Sequence, residues 1–293
     1  MLGKISQPIA ASAILQFQRN GEGIDDSCPI EYLEKFMFLR KNLIAFQTLV
    51  VSEVIRFARI WSQTFLPPVI TMALYFLIIG GFIGSQLGNI GHVTFMQYIA
   101  PGLIMMSIIT SAYANVVSSF FGMRFQHSIE ELLIAPVPSY LILLGFTAGG
   151  VLRSLIVGVL ITIVALFFTH LSIHSFFISL SIAILTATLF SLAGFTNAIF
   201  AKKFDDIQIV PTFILTPLTY LGGVFYSVKQ LPPFWQHISV FNPILYIVNA
   251  FRYGMLGVSD ISLMHAFAIV IFVNVILFSL NLYLLHRGVG IRT

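Results

Sequence analysis

The sequence is poor in charge and almost free of cysteine. Only 9% of its 293 residues are Asp, Glu, Lys or Arg, whereas 58% are hydrophobic, and the mean hydropathy is +0.95. A soluble domain carries charge on roughly a quarter of its residues, so lipid is the solvent for most of this surface. The single cysteine, Cys28, excludes internal disulfides, zinc ribbons and CxxC redox chemistry.

Signature motifs for nucleotide binding and for common hydrolytic chemistry are also absent. The pattern G-x-x-x-x-G-K-[ST] occurs nowhere, so the chain has no recognisable phosphate-binding loop of its own. Neither HExxH nor GxSxG occurs, and no acidic pair lies inside an apolar run. A secondary carrier or channel and a membrane-bound lipid-modifying enzyme remain alternatives, but each needs polar groups that the sequence does not supply.

Long apolar runs dominate what is present. A helix needs about 20 apolar residues to cross a bilayer, and the continuity of the runs favours helices over the alternating strands of a barrel. We therefore expect an all-α integral membrane protein with six transmembrane helices within residues 62–285. The spacings Gly80-xxx-Gly84 and Gly145-xxx-Gly149 permit close helix approach. The six runs are Ser62–Gly84, Tyr98–Phe120, Leu141–Phe168, Phe176–Phe200, Ile207–Val224 and Leu263–Leu285.

The positions of the basic residues predict the orientation. If both termini lie on the same side of the membrane, that side receives twelve of the 15 Lys and Arg residues. Because cytosolic loops are rich in Lys and Arg, we expect residues 1–41 to form a cytosolic extension and residues 286–293 a cytosolic tail. The twelve are Lys4, Arg19, Lys35, Arg40, Lys41, Arg56, Arg59, Arg124, Lys202, Lys203, Arg287 and Arg292.

Arg153 is the basic residue that falls inside a predicted span. Only Ser154–Phe168 separates it from the next loop, which is too little to cross the bilayer. Its guanidinium is therefore expected within the inner leaflet or at the edge of that leaflet. It anchors the third helix there, or it lines a substrate path or pairs with a helix end. The sequence leaves these alternatives open.

An amphipathic segment, residues 42–61, precedes the first run. Its charged residues are Glu53, Arg56 and Arg59, and they are the candidate functional residues of the segment. A helix divided into polar and apolar faces prefers to lie in the membrane surface, so we expect an interfacial helix, for which simple anchoring is the alternative role. The polar face is Thr48, Ser52, Arg56 and Arg59, flanked by Glu53, and the apolar face is Phe46, Leu49, Val50, Val54 and Phe57.

The segment HSIEELLIAPVP, residues 127–138, places two carboxylates between apolar runs. Ser128 and Glu131 match a capping box, and Pro136 and Pro138 end the helix after about two turns. Because so short a helix is marginal in water, we expect it to dock into a groove of a soluble partner. The alternative is a turn resting on lipid headgroups, although carboxylates suit anionic lipid poorly. The candidate docking residues are Ser128, Ile129, Glu130, Glu131, Leu132 and Leu133.

The fifth apolar run follows the loop KKFDD, residues 202–206. Asp205 and Gln208 are expected to cap its helix. Pro211 and Pro217 are expected to kink it, which would make it a moving element.

The segment before the last run, residues 226–261, is rich in aromatic residues and broken by prolines. Each piece is too short to span, so we expect two short helices that dip into the outer leaflet without crossing it. Together with Arg153 of the third run and the kinked fifth helix, this segment supplies the candidate pathway or gate residues. They are Arg153, Pro211, Pro217, Trp235, Tyr246 and Tyr253.

Four stretches of the sequence resemble a known family. They are RFARIWSQTFLPPVI, FGMRFQHSIEELLIAPVPS, FDDIQIVPTFILTPLTYLGGVFY and LPPFWQHISVFNPILYIVNAFRYG. Together they resemble the permease subunit of type-2 ABC transporters, and specifically the YadH-like bacterial inner-membrane transport permeases. The resemblance covers about residues 46–292 and leaves the first 40 or so residues outside.

This resemblance implies a fold, partners and an activity. It implies a six-helix permease that forms a homodimer in membrane lipid and binds two copies of an ABC ATP-binding subunit. ATP and Mg²⁺ would bind to that ATPase, and this chain would hold no cofactor, metal or nucleic acid and would not itself be an enzyme. The coupling helix maps to about residues 126–135, the interface helix to 42–61 and the re-entrant helices to 226–261.

The implied activity is export of an amphipathic, lipid-linked or glycan-like substrate across the bacterial inner membrane. Closure of the ATPase pair would move the coupling and interface helices, and the permease would open a path between its two copies. The resemblance leaves the transported compound unidentified.

Overall fold

The computed structural model describes residues 29–84, 89–90, 93–126, 128–129, 137–171 and 173–289. The chain divides into two compact units, Met1–Leu43 and Ile44–Thr293, and the architecture below is that of the second. Several predicted features lie outside the described residues. They are residues 1–28 of the N-terminal extension and, in the docking segment, Glu130, Glu131, Leu132 and Leu133.

The amphipathic segment forms helix α1, which runs from Pro29 to Arg59. It begins well before the predicted residue 42, because the upstream stretch EYLEKFMFLRKN is itself amphipathic and continues the same helix. It ends at Ile60, whose backbone angles (φ −111°, ψ 37°) are not helical. Glu53 and Phe57 are buried. Glu53 lies beside Arg56 of the polar face and accepts a hydrogen bond from it at 2.9 Å, but unlike the exposed residues of that face its side chain is buried.

Five of the described helices are long and apolar enough to cross a membrane. The central one is α3, since 78% of its most apolar stretch is buried against 17% for the first and last of the five. The helices on the outside therefore leave most of their surface to lipid or to a partner. The five are α2 (Trp61–Tyr75, continuing as a π-helix, Phe76–Ile83), α3 (Phe95–Phe125), α4 (Ser139–Phe168), α5 (Phe176–Phe200) and α10 (Leu263–Arg287).

Helix α3 packs against both α4 and α5. At its start, the β-strands Asn89–Ile90 and Val93–Thr94 form a short antiparallel pair. A capping box follows, in which the Gln97 N–H donates to Thr94 Oγ1 and the Thr94 N–H to Gln97 Oε1. Toward its other end, the Phe120 ring centroid lies 4.2 Å from that of Phe195 in α5 and 5.4 Å from that of Phe146 in α4. These aromatic contacts lie within the shared apolar core of the three helices.

The fifth apolar run forms three consecutive helical pieces. They are α6 (Asp206–Val210), a π-helical turn (Pro211–Leu215) and α7 (Thr216–Leu221). The backbone hydrogen bonding changes from α-helical to π-helical at Pro211, because proline lacks the N–H that an α-helical hydrogen bond needs. Thr216 Oγ1 donates to the Pro211 carbonyl at 2.9 Å. The three pieces together are shorter than the five spans above, so the count of six crossings stays a prediction.

The loop before α6 is held by a different side chain from the one predicted. Asp205 makes no side-chain cap, so the predicted cap is wrong. The Asp206 carboxylate instead accepts the backbone N–H groups of Lys202 and Lys203 at 2.8 and 3.0 Å. These hydrogen bonds favour the ionised carboxylate and lower the pKa of Asp206.

Arg124, in the last turn of α3, caps the neighbouring helix α5. Its Nη1 donates to the carbonyls of Ala198, Ile199 and Ala201, at 3.2, 2.7 and 3.0 Å. The last carbonyls of a helix have no partner within it and carry partial negative charge, so a guanidinium there both satisfies and stabilises them. Arg124, Lys202 and Lys203 therefore lie at one end of the bundle, which we call the basic end.

The opposite end carries two short helices, α8 (Pro233–Val240) and α9 (Pro243–Leu256). Each begins with a proline, whose fixed φ suits the first helical position. Asn242 caps α9 through a hydrogen bond from the Ile244 N–H at 3.0 Å, and Gly257 ends it with φ of 72°. The predicted short helices are thus present within residues 226–261. Their re-entry into the membrane stays a prediction.

Arg252 of α9 is buried and connects several segments at this end of the bundle. Its Nε donates to the Tyr98 carbonyl at 3.2 Å and its Nη2 to the Gly223 carbonyl at 2.8 Å. The guanidinium carbon lies 3.9 Å from the centre of the Tyr98 ring. Asp260 accepts a hydrogen bond from Ser227 Oγ at 2.7 Å and one from the Tyr98 hydroxyl at 3.4 Å. This Arg252 clamp ties α9 to α3 and to the turn after α7.

We expect Arg252→Met to destabilise the protein by about 2–4 kcal/mol. The change removes two hydrogen bonds to backbone carbonyls and the cation over the Tyr98 ring. The control is Arg287→Met at the exposed end of α10, for which a change of about 0.5 kcal/mol or less is expected. Unfolding of both variants in detergent micelles measures this difference, and equal stability of the two would contradict the clamp.

Candidate functional site

A polar network joins helix α1 to two of the central helices near the basic end. Its five members are Glu53 and Arg56 of α1, Asn115 and Ser119 of α3, and Arg153 of α4. Charged groups this far inside a membrane protein are expensive, so they occur where they pair with one another or serve a function. We call this set the Glu53 network.

Glu53 is the acceptor of the network and is only 4% exposed. Its Oε2 accepts from Arg56 Nη2 at 2.9 Å and from Asn115 Nδ2 at 3.3 Å. Its Oε1 accepts a hydrogen bond from Ser119 Oγ. An ionised carboxylate tolerates burial only when donors replace its lost water. Glu53 of α1 therefore accepts hydrogen bonds from two residues of α3.

Asn115 connects all three helices and is fully buried. Its Oδ1 accepts from Arg56 Nη2 at 2.9 Å and from Arg153 Nη1 at 3.3 Å, while its Nδ2 donates to Glu53. Arg56 Nη2 also reaches the Asn115 backbone carbonyl at 3.3 Å. Through this side chain, a displacement of α1 acts on both α3 and α4.

Two glycines of α4 allow α1 to approach closely. A Cβ added to Gly149 would lie 2.7 Å from Glu53 Cβ, and one added to Gly145 would lie 2.8 Å from Leu49 Cβ. Side chains do not pack at such distances. The Gly145-xxx-Gly149 spacing thus serves close helix approach, as predicted, and the partner is the amphipathic helix α1.

Arg153 and Pro211, two of the predicted pathway residues, line the same cavity of about 310 Å³ between α3, α4 and the segment 206–221. The structure does not bring the other predicted pathway residues there. Pro217 is exposed at the start of α7. Trp235 is 44% exposed on α8.

Tyr246 and Tyr253 lie on α9, at the opposite end from the basic end. The Tyr246 hydroxyl donates to the Val240 carbonyl at 2.8 Å, which holds α9 against the end of α8. The Tyr253 ring meets His174 edge-on at 5.7 Å between centroids. Both contacts stabilise the short helices, and a gating role for either tyrosine stays a prediction.

Of the predicted docking residues, Ser128 and Ile129 are described. Ile129 is 4% exposed and belongs to the apolar core of the bundle, so the expectation that it forms part of an edge presented to a partner is corrected. Its burial fixes the start of the segment against the bundle. Arg59 of α1 is exposed. The partner-docking role of the segment stays a prediction.

Sequence reasoning missed Asn115, Ser119 and Arg252. Asn115 and Ser119 lie four residues apart on one helix face inside an apolar run. That spacing is a usable signal for a polar helix contact, but nothing in the sequence identified Glu53 as its partner. Within the described ranges, no group of three His, Cys, Asp or Glu side chains comes together as a metal site would need.

We expect Gly149→Ala to weaken the attachment of α1, because the new methyl group overlaps Glu53 close to its backbone, where no flexible side-chain end can give way. The matched control is Gly122→Ala in α3, since a Cβ at Gly122 meets nothing within 4 Å and alanine favours the helix. Thermal unfolding in detergent should show a lower midpoint for Gly149→Ala and no loss for Gly122→Ala. Equal midpoints would rule out tight packing at Gly149.

The residues that match known proteins include the whole of the Glu53 network. Residues 44–256, which include the Glu53 network, match the model of the ABC-2 type transporter family. The inner membrane transport permease YadH of Escherichia coli K12 is 54% identical over 251 residues, which cover 85% of this chain and 98% of YadH. Nodulation protein J of Neorhizobium galegae is 27% identical over 217 residues, 73% of this chain and 82% of that protein. The chain belongs to the ABC-2 type transporter family.

Proposed function

We propose that this chain is the transmembrane permease subunit of an ATP-binding cassette exporter in the bacterial inner membrane. The observation that carries the proposal is the 54% identity to a transport permease over 98% of that protein's length. The proposed cargo is an amphipathic, lipid-linked or glycan-like compound, and both termini are proposed to be cytosolic. The basic end would then face the cytosol, in keeping with its Lys and Arg residues.

The ABC-2 type transporter family implies a partnership with an ATP-binding subunit. The absence of a phosphate-binding loop from the sequence supports a separate ATPase chain. We propose two copies of that ATPase on a homodimer of this permease, with ATP and Mg²⁺ on the ATPase and no cofactor on this chain. The coupling contact would be the segment 126–135, with α1 as the interface helix.

In this proposal, the Glu53 network transmits movement of α1 to the membrane helices. The residues Glu53 and Arg56 are bonded to Asn115 of α3, and Asn115 is bonded to Arg153 of α4. A partner that pushes on the basic end would therefore move α1 together with α3 and α4, because separation would remove the Asn115 and Ser119 donors from the Glu53 carboxylate. In this proposal, α1 acts as a lever and does more than anchor the chain.

We expect Glu130→Lys combined with Glu131→Lys to abolish co-purification with the ATPase subunit and its stimulation by the permease. Reversing both charges replaces the acidic edge proposed to dock into the ATPase by a basic one. The matched control is Asp25→Lys with Asp26→Lys, which makes the same change of charge outside the matched residues 44–256.

The assay uses the full-length permease, purified with the ATPase and reconstituted in liposomes. The control should retain complex formation and stimulated ATP hydrolysis. Complex formation that survives the Glu130 and Glu131 reversals would contradict the proposed coupling contact. Transport driven by an ion gradient in liposomes that lack the ATPase would favour a secondary carrier instead.

A further inference from the structure

The cavity beside Arg153 has a partly polar lining although it lies within the membrane-spanning bundle. Its volume of about 310 Å³ is far larger than the roughly 10–15 Å³ that a single water needs. Arg153 itself lies halfway along α4, which runs from Ser139 to Phe168. The polar lining comes from three helical segments and consists of Thr110, Tyr113, Ser118, Arg153, Gln208 and Thr216.

The positive charge of Arg153 has little compensation within the described part of the chain. The Glu53 network contains two guanidinium groups and one carboxylate, and it therefore carries an excess positive charge. Both carboxylate oxygens of Glu53 are engaged by Ser119, Arg56 and Asn115. Among the described residues, Arg153 makes one hydrogen bond, to the neutral amide of Asn115. No carboxylate oxygen of these residues lies within 4.0 Å of it.

The guanidinium of Arg153 also has unused hydrogen-bonding capacity. Its Nε is buried and has no partner among the described residues. A guanidinium offers five donors in a planar fork, a geometry that matches the oxygens of a phosphate or carboxylate. A buried donor without a partner destabilises the folded protein. An anion in the cavity would both supply acceptors and neutralise the excess charge.

We propose that this cavity binds the phosphate-bearing, negatively charged headgroup of a membrane amphiphile. Arg153 supplies the charge, and the Tyr113 hydroxyl and the Gln208 amide supply further hydrogen bonds to the headgroup. The other hydroxyls of the lining, those of Thr110, Ser118 and Thr216, already donate to backbone carbonyls. The amphiphile's tail extends into the surrounding lipid. A cation is disfavoured by Arg153, and an uncharged sugar would leave the excess charge without a counter-ion.

This inference rests on the proposed function and deepens it, since it names the class of compound that the permease would carry. It also places the ligand next to the lever, because Arg153 and Glu53 share Asn115 as a hydrogen-bond partner. Binding is measured on the permease alone. A failure of ATPase coupling would leave the binding result intact, and a failure of binding would leave the coupling result intact.

The experiment titrates the full-length permease in detergent micelles with short-chain phosphatidylglycerol and follows binding by native mass spectrometry. We expect saturable binding that Arg153→Gln weakens by about tenfold or more, because a charge-assisted pair is lost. Arg153→Lys should bind with intermediate strength, since it keeps the charge and loses the fork. The charge-matched control, Lys203→Gln in the exposed loop, should bind within about twofold of the wild type.

A second variant keeps the proposal testable if Arg153→Gln fails to fold. Ala114→Phe fills the cavity from its exposed side, leaves Arg153 in place and should also abolish binding. The proposal is overturned if the folded Arg153→Gln and Ala114→Phe variants bind like the wild type. It is also overturned if Lys203→Gln loses as much affinity as Arg153→Gln, because binding would then reflect surface charge alone.

Two further ligands identify the source of the anion. Phosphatidylcholine with the same chains carries a neutral headgroup, and inorganic phosphate carries no tail. We expect both to bind at least about tenfold more weakly than phosphatidylglycerol. Inorganic phosphate that binds as tightly as the lipid would overturn the assignment to an amphiphile, and phosphatidylcholine that binds as tightly would overturn the requirement for net negative charge.

Discussion

The burial of one carboxylate, that of Glu53, is the constraint on which the arrangement of the basic end depends. In a chain with so few charges, this group is stable inside the protein only where donors surround it. Asn115 and Ser119 of α3 and Arg56 of α1 provide those donors. Gly149 of α4 leaves the space that the Glu53 side chain occupies. The amphipathic helix is thus part of the folded bundle.

A consequence of this arrangement is an imbalance of charge. Glu53 accepts hydrogen bonds from Arg56, Asn115 and Ser119, so Arg153 lines the cavity between α3, α4 and the segment 206–221 without a carboxylate of its own among the described residues. Anchoring and ligand binding stay alternative roles for Arg153, and they predict different things, because a guanidinium used only as an anchor needs no bound anion. The opposite end differs, since the Arg252 clamp uses its guanidinium on backbone carbonyls and on the Tyr98 ring.

The helical class and the long spans follow from the sequence because continuous apolar runs have one stable solution in lipid. The close approach at Gly145 and Gly149 was also predictable from small-residue spacing. The helix that packs against these glycines was not predictable, because small-residue spacing indicates a close neighbour without identifying it. The periodicity of α1 likewise places Glu53 beside the polar face, whereas its burial depends on donors from Asn115 and Ser119, 60 or so residues away in sequence. Long-range pairing of this kind leaves no local signal.

The attachment of α1 through Glu53 is tested most directly by a double-mutant cycle between Glu53→Gln and Asn115→Ala. The two residues lie on different helices and share a hydrogen bond at 3.3 Å. The free energy of unfolding of both single variants and of the double variant is measured in mixed micelles. We predict a coupling energy of about 1 kcal/mol or more. Effects that add to within about 0.3–0.5 kcal/mol would mean that the two residues act independently, and would contradict the account.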